Sequence, residues 1–175
     1  MEKLRYPIGR FNVKRPISPE QIVGFIQDIA HLPEQVSSTI DGFSEKQLDT
    51  TYRPGGWTVR QVVHHLADSH MNSYIRFKLA LTEGQPTIKP YEEGRWAELE
   101  DGRQAPVELS LQLLTALHQR WTIFLRSLTA EDFEKSFIHP EHGKAVPLDI
   151  NVALYSWHGR HHLAQILSLK ERMNW

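Results

Sequence analysis

The sequence predicts an all-α protein, a four-helix bundle, on three observations. Four long segments carry apolar residues at helical spacing, strand-like alternation is confined to one short stretch, and no internal repeat is present. At 175 residues, 40% hydrophobic and 23% charged, the chain has the size and composition of a single domain spanning residues 1–175.

Residues 1–17 hold Pro7, Gly9 and Pro16 without a sustained period, which predicts an extended N-terminal arm. The first helix starts at Ser18-Pro19-Glu20-Gln21, where a Ser cap, a Pro at the first helical position and a Gln three residues after the cap form a capping box. Its stripe of Ile22, Phe25, Ile26 and Ile29 meets Pro33 before resuming at Val36 and Ile40, so two pieces are expected. Ser44 and Gln47 can cap one short turn ahead of the breaker Arg53-Pro54-Gly55-Gly56.

The second long helix is the best marked. Thr58 caps it, Gln61 answers three residues later, and Trp57 is placed to close over Val62, giving a helix from Val59 to about Leu81. Residues 84–106, with Gly84, Pro86, Pro90, Gly94, Gly102 and Pro106, form a long loop between the second and third helices, and Tyr91 and Trp96 give it aromatic anchors. The third helix runs from Val107 to about Leu128 on a broad apolar face, and Thr129 with Asp132 restarts a brief turn. His139-Pro140-Glu141-His142-Gly143 is turn chemistry between Phe137-Ile138 and Ala145-Val146, a small hairpin before the last helix. That helix is expected to be capped by Asp149 and to end near Met173.

Composition then excludes whole classes of function. Twenty Lys and Arg against 21 Asp and Glu leave a formal charge of -1, so no broad basic surface exists to neutralise a phosphate backbone, and nucleic acid is not an expected partner. Without cysteine there are no disulfides, thiolate ligands or Cys nucleophiles, so any metal must sit on His, Asp or Glu. No run approaches the roughly 18 apolar residues of a membrane span, and the N-terminal segment lacks the apolar core of a signal peptide. The expectation is a cytoplasmic protein that does not engage membranes.

Ten histidines are present, and they cluster. On the last helix Tyr155, His158, His162, Ile166, Leu169 and Met173 fall within about 40° of one line, so two imidazoles one turn apart occupy the apolar stripe. Two buried neutral rings need a partner for each acceptor nitrogen, and one metal ion satisfies both. His161 points about 100° away. A third ligand must come from elsewhere, and the second helix offers His64, His65 and His70: the wheel places His70 near the buried line, His65 at its flank and His64 opposite. Asp68, one turn beyond His65, is placed to hold a ligand ring's second nitrogen. Gly159 can make room for a neighbouring helix. His31, His118, His139 and His142 have no matching spacing and are expected to be solvated or locally bonded, while Arg76 and Arg160 are cations that either meet an anion or cover helix surface.

The segments PGGWTVRQVVHHLADSHMNSYIRFK, TIKPYEEGRW and YSWHGRHHLAQI, in that order, resemble the DinB superfamily, in particular its YfiT branch of metal-dependent hydrolases. The resemblance implies an up-down-down-up bundle, a homodimer, and one divalent metal, zinc or nickel, on three histidines matching His65, His158 and His162. It thus favours His65 over His70.

Three neutral imidazoles leave a divalent ion its charge, and a water in the open position is acidified from about 15.7 toward 7. The expected function is metal-dependent hydrolysis of a small molecule. The alternatives are transfer of a low-molecular-weight thiol to an electrophile at the same metal, or a non-enzymatic bundle with structural histidines. No H-E-x-x-H, E-x-x-H, phosphate-binding G-x-x-x-x-G-K-[ST] or G-x-G-x-x-G occurs, which disfavours zinc peptidases, carboxylate-bridged di-iron bundles and nucleotide cofactors.

Overall fold

The computed structural model describes residues 2–141 and 143–175; His142, one of the histidines expected to be solvated or locally bonded, lies outside them. In chain order the elements are α1 (Glu2–Arg5), α2 (Pro19–Ile40), α3 (Glu45–Leu48), α4 (Val59–Thr82), α5 (Glu93–Trp96), α6 (Glu100–Gln104), α7 (Val107–Arg126), α8 (Ala130–Glu134), β1 (Ser136–His139), β2 (Lys144–Pro147) and α9 (Leu148–Met173). The long helices α2, α4, α7 and α9 form the bundle, and β1 and β2 pair antiparallel as the expected hairpin, Phe137 opposite Val146.

Ser18, Ser44, Thr58 and Thr129 each close a capping box with Gln21, Gln47, Gln61 and Asp132, so these helix starts follow directly from the sequence. The start of α9 differs. Pro147 occupies the cap, and Asp149 sits in the first turn, where its carboxylate accepts the Ile150 N–H (2.6 Å) and pairs with Arg15 (2.7 Å). An acid one residue inside the helix still answers the free N–H groups of its N-terminus. That pair also ties the arm to the bundle. The arm is not wholly extended: Glu2–Arg5, free of Gly and Pro, makes one helical turn that packs on α9.

Pro33 does not divide the first helix, which runs unbroken from Pro19 to Ile40. A proline removes the N–H that would bond the carbonyl four residues earlier, here that of Ile29. His118 on α7 fills that acceptor: its Nδ1–H donates to the Ile29 carbonyl at 2.6 Å. The expectation that His118 is solvated or bonded locally is therefore corrected, because the ring is buried and its partner lies on another helix.

Contacts fix the order of the four helices. Along α4, His65, His70 and Ser73 meet His162, His158 and Asn151 in turn, so α4 and α9 are antiparallel. His64, His70 and Phe77 meet Ser110, His118 and Trp121, so α4 and α7 are parallel. Asp28, Leu32 and Thr39 of α2 meet Ser156, Gly159 and Lys170, so α2 and α9 are parallel as well. The result is up-down-down-up. At Gly159 α9 lies close against α2: a Cβ there would lie 2.5 Å from Leu32 Cδ2.

The core is in two parts. One apolar cluster gathers Val36, Val62, Leu66, Leu114, Ile166 and Leu169, the other Ile26, Ile29, Phe77, Trp121, Leu148 and Val152. Between them along α4, α7 and α9 lies a polar layer of buried His65, Ser69, His70, Ser73, His118, Ser156 and His162. A layer of this kind calls for internal partners, which His70 Nδ1 and His118 Nε2 lack among the described residues, and it carries the candidate site.

The long loop holds two short helical turns, α5 and α6, and is pinned from below. Gln61 Nε2–H donates to the Ala97 carbonyl (2.8 Å), His64 Nε2–H to the Ala105 carbonyl (3.0 Å), and Arg60 both to Ala105 and to Asp49, with Glu45 as a further partner. No helix among the described residues is long and apolar enough to cross a membrane.

Candidate metal centre

Three of the predicted residues meet. His65, in the second turn of α4, and His158 and His162, one turn apart in the middle of α9, bring one nitrogen each to within 4.8 Å of one another. His65 and His162 are buried and His158 is partly exposed. The antiparallel packing of α4 on α9 sets this up: a pair at i and i+4 presents two rings on one face, and the opposing helix supplies the third.

Each ring has a defined direction. His162 Nδ1–H donates to Gln165 Oε1 (2.9 Å), which leaves its Nε2 as the lone-pair nitrogen. The Gln165 amide in turn donates to the Arg5 carbonyl (2.9 Å) and to His161 Nε2 (3.0 Å), so it is held from both sides. The Nε2 atoms of His65 and His158 face one another at 3.2 Å. Tetrahedral ligands about 2.0–2.1 Å from a zinc ion lie roughly 3.3–3.4 Å apart, so this spacing fits a shared cation. Burial pushes His65 down to about 4 and holds His158 and His162 well below the usual histidine range, with the neighbouring rings adding to the effect. All three are neutral near pH 7, the form that coordinates metal.

Asp68 does not hold the second nitrogen of His65: among the described residues no hydrogen bond joins them. Its carboxyl is raised to about 6 by burial and by Asp101. His64 points away, accepting from Ser110 Oγ (2.7 Å) while it donates to Ala105. His161 stacks on Trp157 at 4.6 Å and is not one of the three. Arg160 lies against Asp28 (3.3 Å) and covers helix surface.

Two participants are given no site role by the sequence reading. Gln165 orients His162, and its signal was present, a hydrogen-bonding side chain three residues on along the same helix. Trp57, read only as a helix staple, sets its ring 4.6 Å from that of His65 and 6.3 Å from that of His162, walling one side of the cluster. A cavity of about 360 Å³ opens beside it, lined by Tyr6, Tyr52, Arg53, Trp57, Glu93 and His162 among others. A larger groove of about 650 Å³ between α2 and α7 touches none of the three histidines. Burial raises the Glu93 carboxyl above its ordinary range, with Arg76 opposing.

An up-down-down-up bundle with three converging neutral imidazoles defines a class, the helical bundles able to hold a divalent ion on histidine alone. The chain belongs to the DinB superfamily, whose family model matches residues 29–166. Over its full 175 residues it is 59% identical to a protein of Bacillus cereus strain ATCC 10987 and 58% identical to one of Bacillus anthracis strain CDC 684, covering 100% of each; both are named "Putative metal-dependent hydrolase". YfiT from Bacillus subtilis, described as a probable metal-dependent hydrolase with an unusual four-helix bundle topology, superposes with a TM-score of 0.97 at 50% identity, covering 99% of both chains.

Proposed function

We propose that the protein is a metal-dependent hydrolase of a small molecule, with one divalent ion per chain, zinc first and nickel second, held by His65, His158 and His162. The observation that carries this is the convergence of three imidazole nitrogens within 4.8 Å, each kept neutral by burial. Imidazole donors suit zinc and nickel, and three of them leave a coordination position for the reaction. The names of the relatives point the same way.

A bound ion here supplies Lewis acidity toward water or a substrate oxygen. The chain's own residues do the rest. Gln165 fixes the His162 tautomer, Trp57 keeps one flank of the site apolar, and the cavity of about 360 Å³ is of a size that takes a small molecule. Glu93, on that cavity's wall with a raised pKa, is the carboxylate placed to accept a proton. Homodimerisation belongs to the same proposal, supported by the 37% exposure of Trp96; a one-chain mass by light scattering would remove that part.

The test is metal analysis of protein purified without a nickel column or histidine tag, followed by assay with ester and electrophile probes, each with and without a thiol. About one equivalent of divalent metal and thiol-independent ester turnover are expected. Adducts formed only with thiol would turn the assignment to a transferase. Less than about half an equivalent, with no gain on adding zinc, would leave the histidines a structural role.

A further inference from the structure

His70 is fully buried and is not one of the three converging histidines, yet it touches one of them: its Nε2 lies 3.1 Å from His158 Nδ1, on the side of that ring away from His65. His158 is thus bridged at both nitrogens, Nε2 toward the cluster and Nδ1 toward His70. Whichever ring of the His70–His158 pair carries the shared proton decides what the cluster can do. If His158 Nδ1 bears it and His70 Nε2 accepts, His158 Nε2 presents a lone pair beside that of His65. If His70 donates, the proton on His158 moves to Nε2 and blocks the site.

The surroundings hold His70 in place. Its ring stacks on that of His118 at 4.9 Å and 19°, and meets Tyr155 (5.0 Å, 84°) and Trp121 (5.8 Å, 84°) edge to face. His118 is itself fixed by its bond to the Ile29 carbonyl. The Nδ1 of His70 has no hydrogen-bond partner among the described residues, so the contact with His158 is its one hydrogen bond; with Nε2 accepting, the ring's proton stands on that Nδ1, an unpaired buried N–H that the fold tolerates at some cost. A side chain with one use for its polarity, clamped between three rings and aimed at the back of a candidate ligand, has the form of an orienting partner. Histidines that bind metals generally need such a partner at the other nitrogen, and losing it typically costs about 10- to 100-fold in affinity.

We propose that His70 is a positioning residue that accepts a hydrogen bond from His158 Nδ1–H and thereby holds the His158 Nε2 lone pair on the metal. It plays for His158 the part Gln165 plays for His162. This rests on the metal reading given above, and the experiment separates the two.

Zinc affinity of the tag-free full chain is measured by competition with a chromophoric chelator, for the wild type, His70→Phe and His70→Gln. Phenylalanine keeps a flat ring for the stack and removes the acceptor; glutamine loses the ring and keeps a carbonyl near the Nε2 position. The expected result is a 10- to 100-fold loss for His70→Phe and a loss within about threefold for His70→Gln. Equal affinity of His70→Phe and wild type overturns the proposal, and equal losses in both variants do the same, since they would report packing. A wild type that binds no zinc sinks the metal reading instead. Should His70→Phe not fold, the ring-nitrogen NMR spectrum of the zinc-loaded wild type decides. His70 must carry its own proton on Nδ1 and leave Nε2 free to accept from His158, and a proton on His70 Nε2 refutes the role assigned to it.

Discussion

Glu93 is where the proposed chemistry can be tested at a single atom. It shares a cavity wall with His162 and Trp57, and burial raises its carboxyl above the ordinary carboxylate range, which makes it a better proton acceptor than a solvated Glu. Glu93→Gln keeps the size and removes the proton acceptor. A positioned general base contributes about 10²- to 10⁴-fold, so kcat for the ester probe is expected to fall by that order while zinc affinity stays unchanged. Unaltered turnover would remove Glu93 from the reaction. At this scale the sequence was informative about which histidines converge and poor about the residues that support them. The i and i+4 spacing of His158 and His162 was decisive because helix geometry alone puts them on one face. On α4 the wheel favoured His70, and His70 is indeed the more deeply buried ring, at 0% exposure against 4% for His65. A wheel reports direction toward the core. Which ring faces the lone pairs depends on how far along α9 each turn of α4 falls, and only tertiary packing sets that. Asp68 failed for a related reason: one turn of separation put it near His65 in sequence, but no hydrogen bond forms between them.

The lesson at the level of elements is in α2. A proline in mid-helix normally costs about 3 kcal/mol or breaks the helix, yet Pro33 sits inside a continuous helix and is buried. What α2 lacks is one N–H donor to the Ile29 carbonyl, and His118, 89 residues away, supplies it. The compensation could not be seen from local sequence, because the donor belongs to a helix whose register against α2 emerges only on folding. Replacing His118 by Phe leaves the buried Ile29 carbonyl without a donor and is expected to cost about 1–3 kcal/mol in urea unfolding. Adding Pro33→Ala restores the missing N–H, so the double variant should recover a substantial part of that loss. Simple additivity of the two changes would show that the carbonyl is not what couples them. By contrast, the capping boxes at Ser18, Ser44, Thr58 and Thr129 were legible, since each partner lies three residues away and needs no tertiary contact.

For the whole molecule, the polar layer between the two apolar clusters makes stability depend on pH in a definite direction. His65, His118 and His161 are lowered to about 4 by burial, and His70, His158 and His162 lie well below their usual value. In the unfolded chain these rings titrate near 6.5. Above about 6.5 they are neutral in both states and contribute no pH dependence. As pH falls below that, the unfolded chain takes up protons that the folded one refuses, and stability drops by up to about 1.4 kcal/mol per pH unit for each ring until the folded rings also protonate. Asp68 works the other way. Its folded pKa of about 6 is raised, so the stabilisation it gives is complete below the unfolded carboxylate value and disappears as pH rises through 6. Glu93, also raised by burial, acts in the same sense as Asp68, but the lowered imidazoles, His64 among them, outnumber the two carboxyls and decide the sign. The metal-free protein should therefore lose unfolding free energy steeply between about pH 6.5 and 4, measured by urea titration in a chelating buffer. Zinc should raise the denaturation midpoint at pH 7 and lose that effect as protons compete for the three ligand nitrogens. A metal-free protein equally stable at pH 7 and pH 5 would mean that the histidine layer is open to water.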